Sequence, residues 1–248
     1  MGRPVGSKRM QQAETTTLFC IPHAGGNGAC YALFSEFFPH SIKVVPLDLP
    51  GKGRRCREQL LARMEAMGRD LLEQMRPTAQ AGPYAIFGHS MGGLLAFECA
   101  RLAHKTALPL PRALFISAAA TPDKVRTGMD RPVSELQPGE LWEYVIRMGG
   151  TPPGVALSAD FKRYMEPLLI ADFSALESWR PAPCEPLPVA IHACIGMDDT
   201  VTENEARLWQ QFSSMAGTVR SFSGGHFYLQ HHWRELAKHI THTLIPAG

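Results

Sequence analysis

A serine hydroxyl is a weak nucleophile until a base takes its proton and nearby donors stabilise the oxyanion it creates. The run Gly88-His89-Ser90-Met91-Gly92 fits the G-x-S-x-G pattern, in which a strand turns sharply into a helix and presents the serine Oγ at the tip of a strained bend. Taken alone, the five residues also fit a glycine-rich turn with a structural serine. Their flanks favour the nucleophile. Pro83-Tyr84-Ala85-Ile86-Phe87 is short, apolar and opens at a Gly-Pro turn, so it predicts a buried strand. Leu94 to Ala103 repeats apolar residues at helical spacing.

A base must reach Ser90, and an acid must orient that base. Of the ten histidines, His226 alone follows a double glycine, Gly224-Gly225, at the end of a strand-like run, where a tight loop aims the imidazole at Oγ. His104, His231, His232, His239 and His242 fall on expected helix surfaces or ends, His40 in a turn and His192 within a strand. His23 and His89 flank the site but precede the position a base needs. Two adjacent aspartates follow the strand ending at Ile195. Asp199 keeps a G-x-x-D spacing from Gly196 and is preferred, while counting back from Val201 and Trp209 favours Asp198 as the alternative. The oxyanion needs two backbone N–H groups, and Met91, after the nucleophile, supplies one. The turn His23-Ala24-Gly25-Gly26 supplies the other, from Ala24. With no G-x-G-x-x-G and no G-K-[ST], that turn is not a nucleotide loop.

These groups need a scaffold, and the chain alternates strand and helix signals. Leu18–Ile21, Ile42–Leu47, Pro83–Phe87, Ala113–Ser117, Val189–Ile195 and Thr218–Phe222 read as strands. Helices are expected from Tyr31 to Phe38, from Leu60 to Met75 with Pro77 as the stop, from Thr202 to Phe212 and from His232 to Leu244. Thr202 and Glu205 have the spacing of a capping box. The fold class is α/β: a mostly parallel central sheet with helices on both faces. The order Ser, Asp, His along the chain is that of an α/β-hydrolase. The rhythm breaks over 121–179, where two helical segments, Gly139–Met148 and Ser158–Ser178, appear with no strand between; the second is expected to kink or split at Pro167. This region reads as a helical lid insertion, with 17–120 and 180–248 as the hydrolase core and 1–16 as a disordered or expression-derived tail.

Composition narrows the function classes. The 248 residues are 45% hydrophobic and carry a net charge of +2, without a basic run that would suggest nucleic acid. Arg54, Arg55 and Arg57 read as a solvated loop. Six cysteines, Cys20, Cys30, Cys56, Cys99, Cys184 and Cys194, lack regular spacing, which argues for free thiols in a reducing compartment. No apolar run approaches the ~18 residues of a membrane span. A soluble cytoplasmic enzyme is expected, with no metal and no cofactor.

Several segments together resemble the type II thioesterases of polyketide and nonribosomal peptide synthesis. They are Ile21–Gly26, Pro50-Gly51-Lys52-Gly53-Arg54-Arg55, Gly88–Gly93, Pro167–Phe173, Gly196–Asp199 with Trp209, and Gly224–Leu229, within a similarity spanning about residues 17 to 245. The resemblance implies an editing hydrolase that clears aberrant or stalled acyl groups from the phosphopantetheine arm of acyl or peptidyl carrier proteins; a monomer is the default expectation for a transient partner of such carriers. It departs from the family pattern at Ile170 and Lys52, where arginine is commoner; Lys52 is read as a tolerated surface change. A carboxylesterase or lipase-like enzyme on free esters remains the alternative, and a silent binding module a distant one.

Overall fold

The computed structural model describes residues 14–125, 129, 131–137, 139–151, 153–156 and 158–245. Most of the expected tail, 1–13, lies outside the described residues; Thr16 is already the first, buried residue of a strand. In chain order the elements are β1 (Thr16–Ile21), β2 (Ile42–Pro46), α1 (Met64–Ala81), β3 (Tyr84–His89), α2 (Met91–Lys105), β4 (Ala113–Ser117), α3 (Glu140–Met148), α4 (Pro153–Ala156), α5 (Ala159–Ser178), β5 (Ala190–Gly196), α6 (Glu203–Arg207), β6 (Val219–Phe222) and α7 (Trp233–Leu244).

Each expected strand forms, and all six join one sheet in the order β2-β1-β3-β4-β5-β6 with every neighbour parallel. Parallel strands bury both faces, and their side chains alternate between them. Leu18, Cys20, Ala85, Phe87, Ala113 and Phe115 point to the face that α7 covers. Phe19, Ile21, Ile86, Leu114 and Ile116 point to the face that α1 and α2 cover. α2 lies between the sheet and α1, so Met91 to Ala100 is buried without interruption. The strand order reverses between β1 and β3: β2 lies to one side of β1, and β3 to β6 lie to the other. Open parallel sheets bind ligands beyond the carboxyl ends of their strands at such a switch point.

Three expectations needed correction. Tyr31 to Phe38 is not an α-helix but two 3₁₀ turns, Gly28–Tyr31 and Phe34–Phe37. Its aromatics recur every third residue, at Tyr31, Phe34 and Phe37, which is the 3₁₀ period; Tyr31 and Phe34 pack around Phe87 and Trp233. Pro77 does not stop α1; of the two outcomes expected at Pro167, α5 is not split and runs on as one helix. Both prolines are exposed, so the carbonyl each one deprives of a partner faces water, while the buried residues beyond them (Ala79; Leu168 and Leu169) keep the helix packed. The helix expected to reach Phe212 ends at Arg207 and tightens into a 3₁₀ turn, and its Thr202–Glu205 capping box is present. All six cysteines are free thiols. No helix among the described residues is long and apolar enough to cross a membrane.

Candidate active site

The chain reverses from β3 into α2 at one residue, Ser90, whose φ of 55° and ψ of −121° lie outside the conformations a non-glycine residue adopts freely. Two glycines make this bend possible. A Cβ on Gly88 would lie 2.0 Å from the Gly92 carbonyl oxygen, and one on Gly92 would lie 2.1 Å from the Ile21 oxygen. The start of α2 therefore rests directly on the end of β1. The Ser90 N–H donates to the Ser117 carbonyl at 2.7 Å, which locks the bend to β4.

Parallel strands deliver their following loops to the same edge. The loop after β5 carries Asp199 and the loop after β6 carries His226. His226 Nε2 lies 2.9 Å from Ser90 Oγ. Its Nδ1 lies 3.0 and 3.2 Å from the two Asp199 oxygens, and the Asp199 side chain is fully buried. The structure thus brings together Ser90, His226 and Asp199. It leaves Asp198 exposed, with its backbone N–H donating to the Gly224 carbonyl. Ala24, just beyond β1, and Met91, the first residue of α2, line the same cavity as Ser90. The first N–H groups of a helix, that of Met91 among them, have no partner within it, and the helix dipole favours negative charge there.

The cavity measures about 540 Å³. Leu94 and Met91 form part of its wall, and α3 and α5 contribute Trp142, Phe161, Met165, Leu169 and Phe173. The two histidines that flank the elbow are held neutral. Burial first, then the nearby His226 and Lys52, pushes the His23 imidazole down to about 4. Burial also holds His89 well below its ordinary value, with His226 and His23 adding to the effect. His89 Nδ1 is 2.9 Å from Ser117 Oγ, which is 2.7 Å from the Tyr228 hydroxyl. This buried chain braces the floor beneath Ser90.

The sequence reading missed a second cluster. Lys52 is not at the surface: it is 1% exposed and paired with Asp172 of α5. Asp172 also accepts the Gly25 N–H at 2.6 Å. The available signal was Asp172 itself, an acid inside the apolar helical run 168–173, because a buried carboxylate calls for a cation or donors. Ile170, in the position where arginine was expected, is exposed.

Residues 16–244 match the model of the thioesterase domain. Among characterised proteins the chain is similar to the thioesterase PikA5 of Streptomyces venezuelae, at 30% identity over 93% of this chain and 82% of that protein. It is similar also to the gramicidin S biosynthesis protein GrsT of Aneurinibacillus migulanus, at 32% identity over 89% of this chain and 85% of that one. Among solved structures, the type II thioesterase BorB from the borrelidin biosynthetic cluster superposes with a TM-score of 0.83 at 32% identity, covering 98% of this chain and 95% of that one.

Proposed function

The chain belongs to the thioesterase family, with the α/β-hydrolase fold of its relatives, and from that premise we propose that it clears acyl thioesters from the phosphopantetheine arm of carrier proteins in polyketide or nonribosomal peptide synthesis. The observation that carries the reading is the hydrogen-bonded run from Ser90 Oγ through His226 to Asp199, opening on an apolar cavity. Ser90 Oγ attacks the thioester carbonyl carbon while His226 Nε2 takes its proton. The oxyanion is held by the N–H groups of Ala24 and Met91. The C–S bond then breaks and His226 returns the proton to the departing thiolate. Water, deprotonated by the same imidazole, attacks the acyl-Ser90 ester, releasing the acid and restoring the serine. Asp199 keeps the Nδ1–H tautomer and stabilises the imidazolium.

The helices α3 to α5, inserted between β4 and β5, act as a lid whose apolar side chains hold the acyl group. No step calls for a metal or an enzyme-bound cofactor; the pantetheine arm arrives with the substrate.

Purified protein is expected to release acyl groups from a loaded carrier protein faster than from the matching N-acetylcysteamine thioester, and Ser90→Ala is expected to abolish turnover. Equal rates on the two substrates would remove the carrier from the proposal. Turnover by the Ser90→Ala variant would remove the serine mechanism.

A further inference from the structure

Resting on that mechanism, we propose that Asp172 of α5 is a positioning residue that sets the oxyanion loop, with Lys52 holding its carboxylate in place. Three distant segments meet here: the loop after β1, the loop after β2, and the inserted helix. Asp172 Oδ2 accepts from the Gly25 N–H and pairs with Lys52 Nζ, and both side chains are almost wholly removed from solvent. The other oxygen, Oδ1, is buried without a hydrogen-bond partner among the described residues. The polar contacts of this carboxylate thus converge on one ammonium and one backbone N–H.

That N–H belongs to the peptide next to the oxyanion donor. The Ala24–Gly25 peptide is planar, so fixing its N–H fixes its plane. The His23–Ala24 peptide, whose N–H is the donor, is held from its other end: the His23 carbonyl accepts the Gly26 N–H at 2.9 Å. With both planes tied, the Ala24 N–H has one direction available. Gly25 has a φ of 75°, and Leu169 Cδ2 lies 2.7 Å from where a Cβ would stand, so α5 presses on the same peptide that it bonds. A buried ion pair is a poor stabilising device, because desolvation offsets much of its Coulomb gain. A charge-assisted bond to a single N–H is a good orienting one.

One consequence joins lid and catalysis. The helix that lines the acyl cavity also aligns the oxyanion donor, so the donor is in place only while α5 is seated.

Two double variants test this, chosen to leave no unpaired buried charge. Lys52→Met/Asp172→Asn keeps a neutral acceptor for Gly25, and Lys52→Met/Asp172→Leu removes it. Turnover on an acyl thioester is measured beside affinity for two analogues: a trifluoromethyl ketone, which adds to Ser90 and forms an oxyanion, and a thioether, which cannot. The leucine variant is expected to lose about 100-fold in kcat, as for loss of one oxyanion donor, with KM within twofold. Ketone affinity should fall by a similar factor while thioether affinity holds. The asparagine variant is expected to lie between, a few-fold below wild type in kcat and ketone affinity. It carries the test by itself if the leucine variant does not fold. Unchanged kcat in either variant, or parallel loss of ketone and thioether affinity in either, would overturn the proposal. Survival of turnover in Ser90→Ala would instead defeat the mechanism on which it rests.

Discussion

Asparagine at position 199 preserves the shape of the side chain and exchanges one acceptor oxygen for an NH₂ donor. Both Asp199 oxygens lie within 3.2 Å of His226 Nδ1, so either amide orientation brings the NH₂ group against that nitrogen. The Asp199 side chain is fully buried, leaving no water to separate the two donors. The imidazole relieves the clash by moving its proton to Nε2, where it faces Ser90 Oγ at 2.9 Å. A nitrogen that carries the proton cannot accept another. Loss of the working tautomer costs about four decades in kcat, or about 5.4 kcal/mol of barrier at about 1.36 kcal/mol per decade. KM should change little, because ground-state contacts with the acyl group are untouched. Asp198→Asn, at an exposed carboxylate, is expected to stay within about twofold of wild type. Thiol release from an acyl thioester, followed with a chromogenic disulfide, measures both variants. An Asp199→Asn enzyme within tenfold of wild type, or an equal loss in Asp198→Asn, would refute the reasoning.

Gly92→Ala should destabilise the protein by at least about 3 kcal/mol, because the added Cβ would stand 2.1 Å from the Ile21 oxygen and 2.6 Å from that of Pro22, both backbone atoms. Gly154→Ala, with nothing within 4 Å of its Cβ, is the control, and equal urea midpoints for the two would contradict the close approach of α2 to β1. The His23 imidazole titrates near 4 in the folded protein and near 6.5 when unfolded. The unfolded chain therefore binds more protons between these values, and stability falls as pH drops through that window. The full effect is no more than about 3 kcal/mol, since His23 is only partly buried. Urea unfolding of wild type and His23→Gln between pH 7 and 4 checks it, and the variant should show the shallower decline; parallel curves would contradict the assignment.

The legible parts of this molecule were those written in short stretches of chain. An apolar run before Ser90, a helical run after it and glycines on both sides were enough for the elbow, because a strand-to-helix turn is a local event. The Thr202–Glu205 capping box was read for the same reason. Misreadings arose where packing overrode a local rule. Pro77 and Pro167 are helix breakers by propensity, yet each sits on a solvent-facing side where its lost bond costs least. The aromatic stretch from Tyr31 had helical character, and three-residue spacing against Phe87 and Trp233 turned it into 3₁₀ turns.

Lys52 marks the clearest boundary. Flanked by glycines and followed by arginines, it reads as solvent-facing, and its partner lies 120 residues away on another element. No window of sequence contains both. The identity and chain order of Ser90, His226 and the aspartate pair were set by the sequence, because the parallel strands before them deliver each loop to one edge of a sheet. Which carboxylate faces the imidazole was decided by the turn after β5, where the Asp199 N–H donates to the Gly196 carbonyl and the Asp198 N–H to that of Gly224. That a lysine and an acid meet beside Gly25 depended on how α5 seats against the loop after β1. Side-chain direction in a loop and the docking of an inserted helix are properties of packing in three dimensions, and periodicity along the chain carries no record of them.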